Sequence, residues 1–321
     1  MQSQIKLSTA IEGLLRCPIC RAKFERIKDQ YICTGSECHS RFPIINGIPV
    51  LLNESASLFS IQDLVSQSNT ISTFQENKIQ KVLRQLIPDI GQNVKGKQNY
   101  SKFAKLLLDQ STTPKVLVVG CGTLGEGMES LLVHPSIELI ETDILFGPRT
   151  MLICDAHDLP FESDSLDGVI VQAVLEHVVD PHRCVEEIHR VLKKQGLVYA
   201  ETPFMQQVHM GRYDFTRFTY LGHRRLFRRF EEIDSGATCG PGMALAWAYR
   251  YFLLSFTESN LVRSFIKVFA SFTSFYLKYL DRYLIDKTGT LDAASSFYFI
   301  GKKSHYTLSD RELIKLYKGA F

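Results

Sequence analysis

From Lys115 onward the chain alternates short β-prone apolar runs with stretches of helical periodicity: VLVVG, IELIETD, TMLIC, LDGVIVQA and LVYAET, with turn residues between them. That alternation predicts an α/β fold, a parallel sheet wound doubly with helices on both faces. The punctuation after LDGVIVQA is explicit. Asp180 can cap a helix, Pro181 suits its first turn, Val185, Ile188, Val191 and Leu192 share one face, and Gly196 is expected to end it before a strand that starts at Leu197. FEEIDSG near 230 and SSFYFIGKK near 295 read as two closing strands, separated by an unusually long helical insertion at about 241–290.

A chain of 321 residues with 45% hydrophobic and 22% charged residues can bury a sizeable core. Wholesale disorder, collagen-like repeats and a small disulfide scaffold are excluded. A net charge of +3 is too slight for a protein that coats polyanions. Eight cysteines without a secretory leader point to a reducing, cytoplasmic compartment. No run of about eighteen apolar residues lacks charge, so a soluble or at most peripheral protein is expected, one that touches the inner face of a membrane if any.

Three zones follow: a metal-stapled unit over 1–55, a helical linker over 56–112, and the sheet domain over 113–321. The linker predicts two helices, one through Ile79, Val82, Leu83 and Leu86, the other through Tyr100, Phe103, Ala104 and Leu107, with Pro88, Gly91 and Gly96 as breaks. In the first zone, Cys17 and Cys20 in LRCPIC and Cys33 and Cys38 in YICTGSEC give two thiol pairs suited to tetrahedral Zn2+. A closed four-thiolate set leaves no open position, so the zinc is expected to be structural. The four-residue gap between Cys33 and Cys38 makes His39 an alternative ligand, with Cys38 preferred. Cys121, Cys154, Cys184 and Cys239 lack metal spacing and read as small buried residues. LRCPIC and RFPIINGIPVLL resemble the small zinc-ribbon subunit that activates tRNA and translation-factor methyltransferases, over about forty residues. They also resemble the ribbon at the front of certain rRNA guanine methyltransferases, which implies substrate docking as one role.

Gly120-Cys121-Gly122-Thr123-Leu124-Gly125 follows the first strand directly. Glycines there permit a tight turn and close backbone approach, suited to a dinucleotide pyrophosphate or to the methionine end of S-adenosylmethionine. The second strand ends in Glu141-Thr142-Asp143, followed by Ile144, and the Asp143 carboxylate can accept both hydroxyls of an adenosine ribose. At the third strand tip, Asp155, followed by Ala156, can accept from an adenine amino group; the fourth strand ends at Gln172. Together GCGTLG, ETDI, CDAHDLPF, LDGVIVQAVLEHV and RVLKKQGLVYAETPF resemble the class I S-adenosylmethionine-dependent methyltransferases, especially the subset that includes quinone-biosynthesis enzymes, over roughly residues 98 to 236. The resemblance implies a Rossmann-like seven-stranded sheet with the cofactor across the carboxyl ends of its first strands, and contacts from Gly120, Cys121, Gly122, Gly125, Asp143, Ile144, Asp155, Ala156 and Gln172. Val118 departs from it, since many members carry an acid two positions before the first glycine.

Methyl transfer from a sulfonium needs alignment more than covalent catalysis. An oxygen acceptor needs a general base, whereas a neutral amine or an activated carbon does not. In PFMQQVHMGRYDFTRFTYLG, His209 is the candidate base, Asp214 would orient it or bind substrate, and Arg212 or Arg217 would hold an anionic group. The plainer alternative is that Tyr213, Phe215 and Phe218 pack while the charges cap a loop. His177 reads as a local structural histidine. In the insertion, Phe265, Phe269, Phe272, Tyr276, Tyr279 and Tyr283 lie near one face and Lys267, Ser271, Lys278 and Arg282 near another. Such a stripe is usually core; the alternative is a lid or peripheral membrane surface for a lipid-linked acceptor, with HRRLFRRF meeting anionic headgroups. The expected activity is S-adenosylmethionine-dependent methylation of a small metabolite, a quinone, or a saccharide or lipid-linked glycan. Two rivals stand beside it: an RNA base methyltransferase guided by the ribbon, weakened by the acidic pair Glu231 and Glu232, and a non-catalytic scaffold that activates another methyltransferase.

Overall fold

The computed structural model describes residues 6–68 and 86–320. Ile79, Val82 and Leu83 lie outside the described residues. Eleven strands form one sheet in the order β1-β2-β3-β4-β7-β6-β5-β8-β9-β11-β10. The ribbon supplies β1 (Phe24–Ile27), β2 (Gln30–Cys33), β3 (Arg41–Ile45) and β4 (Ile48–Leu51); the expected apolar runs supply β5 (Lys115–Val119), β6 (Glu138–Asp143), β7 (Leu152–Cys154), β8 (Leu166–Gln172), β9 (Leu192–Pro203), β10 (Phe230–Cys239) and β11 (Ser296–Lys303). From β7 to β9 neighbours run parallel, and β11 inserts antiparallel between β9 and β10. The chain runs from β5 outward to β6 and β7 on one side, then returns to lay β8 and β9 on the other. The carboxyl end of β5 is therefore a topological switch point, where an open α/β sheet forms its binding crevice.

Both faces are covered as the apolar runs require. The helix Gly96–Gln110 buries Tyr100, Phe103, Ala104 and Leu107 against Val116, Ile170, Leu197 and Tyr199, while Pro181–Val191 buries Cys184, Val185, Ile188 and Val191 on the other face. Asp180 caps the latter, accepting from the Arg183 N–H at 3.0 Å. One boundary differs from expectation. The helix stops at Val191 and β9 begins at Leu192 rather than Leu197, because Leu192 already pairs with Leu166. Gly196 lies inside the strand.

The ribbon is not a separate bead. β4 pairs in parallel with β7, Val50 opposite Ile153 and Leu51 opposite Cys154, and Leu15 bridges Phe161. Leu15, Tyr31 and Phe42 share one buried cluster with Leu117, Phe161 and Val169 of the sheet domain. The unit expected over 1–55 thus shares a hydrophobic cluster with the sheet domain.

The insertion folds as three helices, Pro241–Leu254, Asn260–Ser274 and Leu277–Leu284. Their packing inverts the expected faces: Ala270, Ser271 and Ser274 are buried, and Arg250 Nη2 donates to Ser271 Oγ at 2.7 Å. Phe265 is 69% exposed, Phe272 53% and Tyr283 73%. Small side chains let the helices approach closely, which leaves the aromatic stripe outside. Among the described residues, no helix is long and apolar enough to cross a membrane.

Candidate active site

The glycine loop is fixed by contacts that leave no room for side chains. Gly120 has φ +75°, and a Cβ there would lie 2.3 Å from Val174 Cγ2. Its N–H and that of Cys121 both donate to Thr142 O, at 2.9 and 3.0 Å, which ties the loop to β6. Gly122 N donates to Asp143 Oδ2 at 2.9 Å, and Leu145 N donates to Oδ1 at 3.0 Å. Each Asp143 oxygen keeps a lone pair for a further donor, matching the two hydroxyls of a ribose. Cys121 contributes backbone only, since its thiol is buried and its pKa pushed up to about 11 by that burial.

Behind the loop lies a polar network that the sequence reading missed. A Cβ at Gly125 would sit 1.7 Å from Gln172 Oε1. That oxygen accepts from Tyr100 OH at 2.8 Å, and Gln172 Nε2 donates to Glu201 Oε2 at 2.9 Å. Glu201, with its pKa raised by burial, also accepts from Asn93 Nδ2 and from Tyr199 OH. Gln172, expected at the cofactor, therefore has its amide committed inward and supports Gly125 from behind. The signal for Glu201 was present in ETPF at the fifth strand tip, but a lone acid there was indistinguishable from a solvated one. Val118 is buried in the cluster that contains Tyr100 and Phe103, so its apolar character serves the core.

Asp155 is more enclosed than expected. Its Oδ1 accepts from His157 N at 3.0 Å and faces His157 Nδ1 at 2.5 Å; its Oδ2 accepts from Ser57 Oγ at 2.6 Å. One lone pair on Oδ2 remains for an adenine amino group. Ser57 belongs to the segment that leaves β4, and neighbouring Phe59 packs in one cluster with Ile144 and Phe146. Ala156 opens the turn 156–158 capped by Asp155. The segment after the ribbon thus walls the crevice on the side of Asp143, Ile144, Asp155 and Ala156.

The four ribbon thiols converge. Cys17 and Cys38 sulfurs lie 3.8 Å apart, Cys20 and Cys33 sulfurs 3.3 Å apart, and all four lie within 4.8 Å of one another. Tetrahedral zinc with bonds of about 2.3 Å spaces its sulfurs by about 3.8 Å, so the set fits that ion. His39 is exposed with φ +43° and stands outside the set, which leaves Cys38 as the fourth sulfur. Gly35 N donates to Cys33 Sγ at 3.3 Å, and a Cβ at Gly35 would come within 2.9 Å of Cys20 Sγ.

On the opposite side of the crevice, the loop after β9 arches over β8. Phe215 N donates to Glu176 O at 2.8 Å, and His209 N donates to Asp214 Oδ2 at 2.9 Å. Burial alone would raise the Asp214 carboxyl, but Arg217 and the His209 N–H hold it well below its ordinary value. Arg217 also donates to Gln206 O, Thr216 O and Gln207 O, so it braces the loop. The expectation that Arg217 holds an anionic substrate group is corrected on that ground; Arg212 instead lies over the Tyr213 ring at 4.9 Å. Asp214 acts as the loop's brace and faces His209 Nδ1 at 3.6 Å. His177 and His209 meet edge to face at 4.9 Å, and both ring Nε2 atoms face Glu176 Oε1, at 3.6 and 4.0 Å. Glu176 is almost fully buried, and burial pushes its carboxyl up to about 8. A cleft of about 410 Å³ opens beside this cluster, between Phe204–Val208, Asp214–Arg217 and the insertion residues Ala244 and Ala248. The insertion fixes the cleft wall: Tyr251 OH donates to Val208 O at 2.7 Å, and Trp247 packs on His209.

The arginines of HRRLFRRF are engaged inside the molecule. Arg224 donates to Phe227 O and Phe230 O, Arg225 and Arg228 pair with Asp310, and Arg229 pairs with Glu186. Arg225 and Arg228 thereby brace the C-terminal segment, while Arg225 and Arg229 keep 51% and 40% of their side-chain surface exposed.

Residues 117–200 match the family model described as a methyltransferase domain. One curated relative, a demethylmenaquinone methyltransferase of Clavibacter sepedonicus, is 46% identical over 44 residues, 14% of this chain and 18% of that protein's length. Among solved structures, the complex of the Haloferax volcanii Trm112 methyltransferase activator with a putative methyltransferase is 20% identical, covering 66% of this chain and 94% of that one at a TM-score of 0.39. The Burkholderia thailandensis 1,6-didemethyltoxoflavin-N1-methyltransferase, bound to its substrate and S-adenosylhomocysteine, is 10% identical, covering 84% and 98% at a TM-score of 0.39. Residues 117–200 therefore form a methyltransferase domain on the Rossmann-like sheet of order β7-β6-β5-β8-β9-β11-β10, joined to a four-cysteine ribbon.

Proposed function

We propose that the protein transfers a methyl group from S-adenosylmethionine to an apolar acceptor, a quinone or a lipid-linked saccharide, brought to the cleft beside His209. The observation that carries the cofactor half is Asp143, held by Gly122 N at the switch point with a lone pair left on each oxygen. S-adenosylmethionine, when bound, supplies a methyl already activated on a sulfonium. The chain's own residues then have to orient and to move one proton. The loop 120–125 and Asp143 fix the donor, and the walls of the cleft position the acceptor against it. His209 Nδ1 faces Gln207 O at 3.2 Å, which places the hydrogen there and leaves Nε2 to accept a hydroxyl proton.

The acceptor class is supported by the insertion, which forms one wall of the cleft and carries the exposed aromatic stripe, with Lys267 and Arg282 on the same helices. That combination suits a surface resting on anionic lipid at the inner face of a membrane. The relative matched over 44 residues is named for demethylmenaquinone, an acceptor within the same apolar class. A scaffold acting on another methyltransferase is disfavoured because β4, the ribbon's strand nearest the sheet, is already paired with β7 of the same chain. The RNA reading is weakened because Arg225, Arg228 and Arg229 are each already paired with an acid of the same chain.

Calorimetric titration with S-adenosylhomocysteine is the first test. One site per chain is expected, and Asp143→Ala should weaken it by about tenfold or more through loss of a charge-assisted pair of hydrogen bonds. Absence of heat from the wild-type protein would reject the methyltransferase reading. Labelled methyl from the donor, supplied with fractionated extract, should enter the lipid-extractable fraction; label in RNA would instead establish the ribbon-guided rival.

A further inference from the structure

Glu176 is buried to about 1% of its side-chain surface, yet neither carboxylate oxygen has a hydrogen-bond partner. Ionised without donors, such a carboxylate would cost several kcal/mol, and a cation bound beside it would offset that cost. The groups nearest it are two imidazoles, with Nε2 atoms 3.6 and 4.0 Å from Glu176 Oε1. Those separations exceed a hydrogen bond. They approach the spacing of about 3–3.5 Å between donors that share a cation at about 2.1 Å. The tautomers agree. His177 Nδ1 lies 2.8 Å from Tyr213 O and His209 Nδ1 lies 3.2 Å from Gln207 O, so each ring carries its hydrogen on Nδ1 and presents a lone pair at Nε2. A backbone acceptor behind each ring is the outer-shell arrangement that orients metal-binding histidines.

From this geometry we infer that Glu176, His177 and His209 bind a divalent first-row cation beside the acceptor cleft. All three donor atoms lie within 4.8 Å of one another. Two imidazoles and one carboxylate, without a thiol, suit Mn2+, Fe2+, Co2+ or Zn2+ and leave coordination positions open. The two rings are 18% and 25% exposed and the carboxylate 1%, so the open positions face the solvent side, where an acceptor arrives. The existence of the site does not depend on methyl transfer, but its use deepens that reading and rests on it. A cation held by these three residues would lower the pKa of an acceptor hydroxyl placed at an open position, and the released proton would pass to water. An oxygen lone pair forms the new C–O bond as the C–S bond of the sulfonium breaks with its electron pair staying on sulfur. His209 then serves as a ligand in place of a base.

The test uses full-length protein whose ribbon zinc has been quantified, titrated with Mn2+ and followed by electron paramagnetic resonance. One Mn2+ per chain should bind while the zinc content stays constant, because thiolates hold Mn2+ poorly. Glu176→Gln and His209→Ala should each weaken Mn2+ binding by about tenfold or more, with the exposed His305→Ala as an unchanged control. His209 lies on a partly exposed loop, so its variant carries the test even where Glu176→Gln fails to fold. No Mn2+, Co2+ or Zn2+ bound beyond the ribbon equivalent, or binding that both variants leave intact, overturns the site. S-adenosylhomocysteine titrated into the same samples separates the two ideas: heat without Mn2+ binding removes the ion alone, and Mn2+ binding without heat removes the methyltransferase chemistry alone.

Discussion

The placement of Gly120 and Asp143 was legible because it depends on a few neighbouring residues: a left-handed turn after a strand, and an acid one strand later. Glu176 was not, although it stands beside a histidine in LEHV, because a carboxylate's burial is decided by whatever folds over it. Here that is the loop whose Phe215 and Thr216 N–H groups reach back to Glu176 O. His223 belongs to the same class of residue. It is 2% exposed in the helix Tyr220–Leu226, and burial, with Arg224 beside it, pushes its imidazole down to about 3 from the ordinary 6.5. The unfolded chain takes up this proton as pH falls through 6.5, and the folded chain refuses it until about 3. Stability is therefore lost as pH drops below 6.5, by about 2 kcal/mol at pH 5 from this residue. Urea midpoints at pH 7 and pH 5 should show a larger fall for wild type than for His223→Leu; equal falls would place the acid sensitivity elsewhere.

Among elements, the insertion shows what periodicity cannot say. The stripe through Phe265, Phe269, Phe272 and Tyr276 was read correctly as one face, but the face that packs is the one carrying Ala270, Ser271 and Ser274. Asp281 explains the tightness of the packing. From the helix Leu277–Leu284 it accepts from Gly242 N at 2.7 Å and Met243 N at 2.9 Å, capping a helix far away in sequence. A Cβ at Gly240 would come 2.4 Å from Asp281 Oδ1. Asp281→Ala should destabilise the protein by about 2–4 kcal/mol, because two helix N–H groups lose a buried acceptor. Denaturant unfolding checks this, and a loss below about 0.5 kcal/mol would mean that water replaces the carboxylate. The outward aromatics make the second element-scale expectation. Sedimentation with vesicles containing anionic lipid should carry the protein down, and Phe265→Ser with Phe272→Ser should release it. Equal sedimentation of that double variant would show that the stripe is not the contact.

At the scale of the molecule, the ribbon and the sheet are one body, through the β4–β7 pairing and the shared core around Leu15, Phe42 and Phe161. Loss of a metal held by the four ribbon thiols should therefore loosen the whole chain. Chelation of one zinc per chain, or Cys17→Ser, is expected to lower the melting temperature by roughly 5–10 °C in a single transition. A sheet transition that stays in place while the ribbon melts separately would contradict the shared core.

By itself the sequence determined the strands of the sheet domain, the switch-point loop, the thiol set and the acids at the strand tips, because each is encoded in patterns a few residues long that local backbone geometry enforces. Only the tertiary structure decided that the ribbon extends the sheet, that the insertion wears its aromatics outward, and that Glu176, His177 and His209 meet. Those outcomes depend on which surfaces press against each other across tens to hundreds of residues, and no local period carries that information.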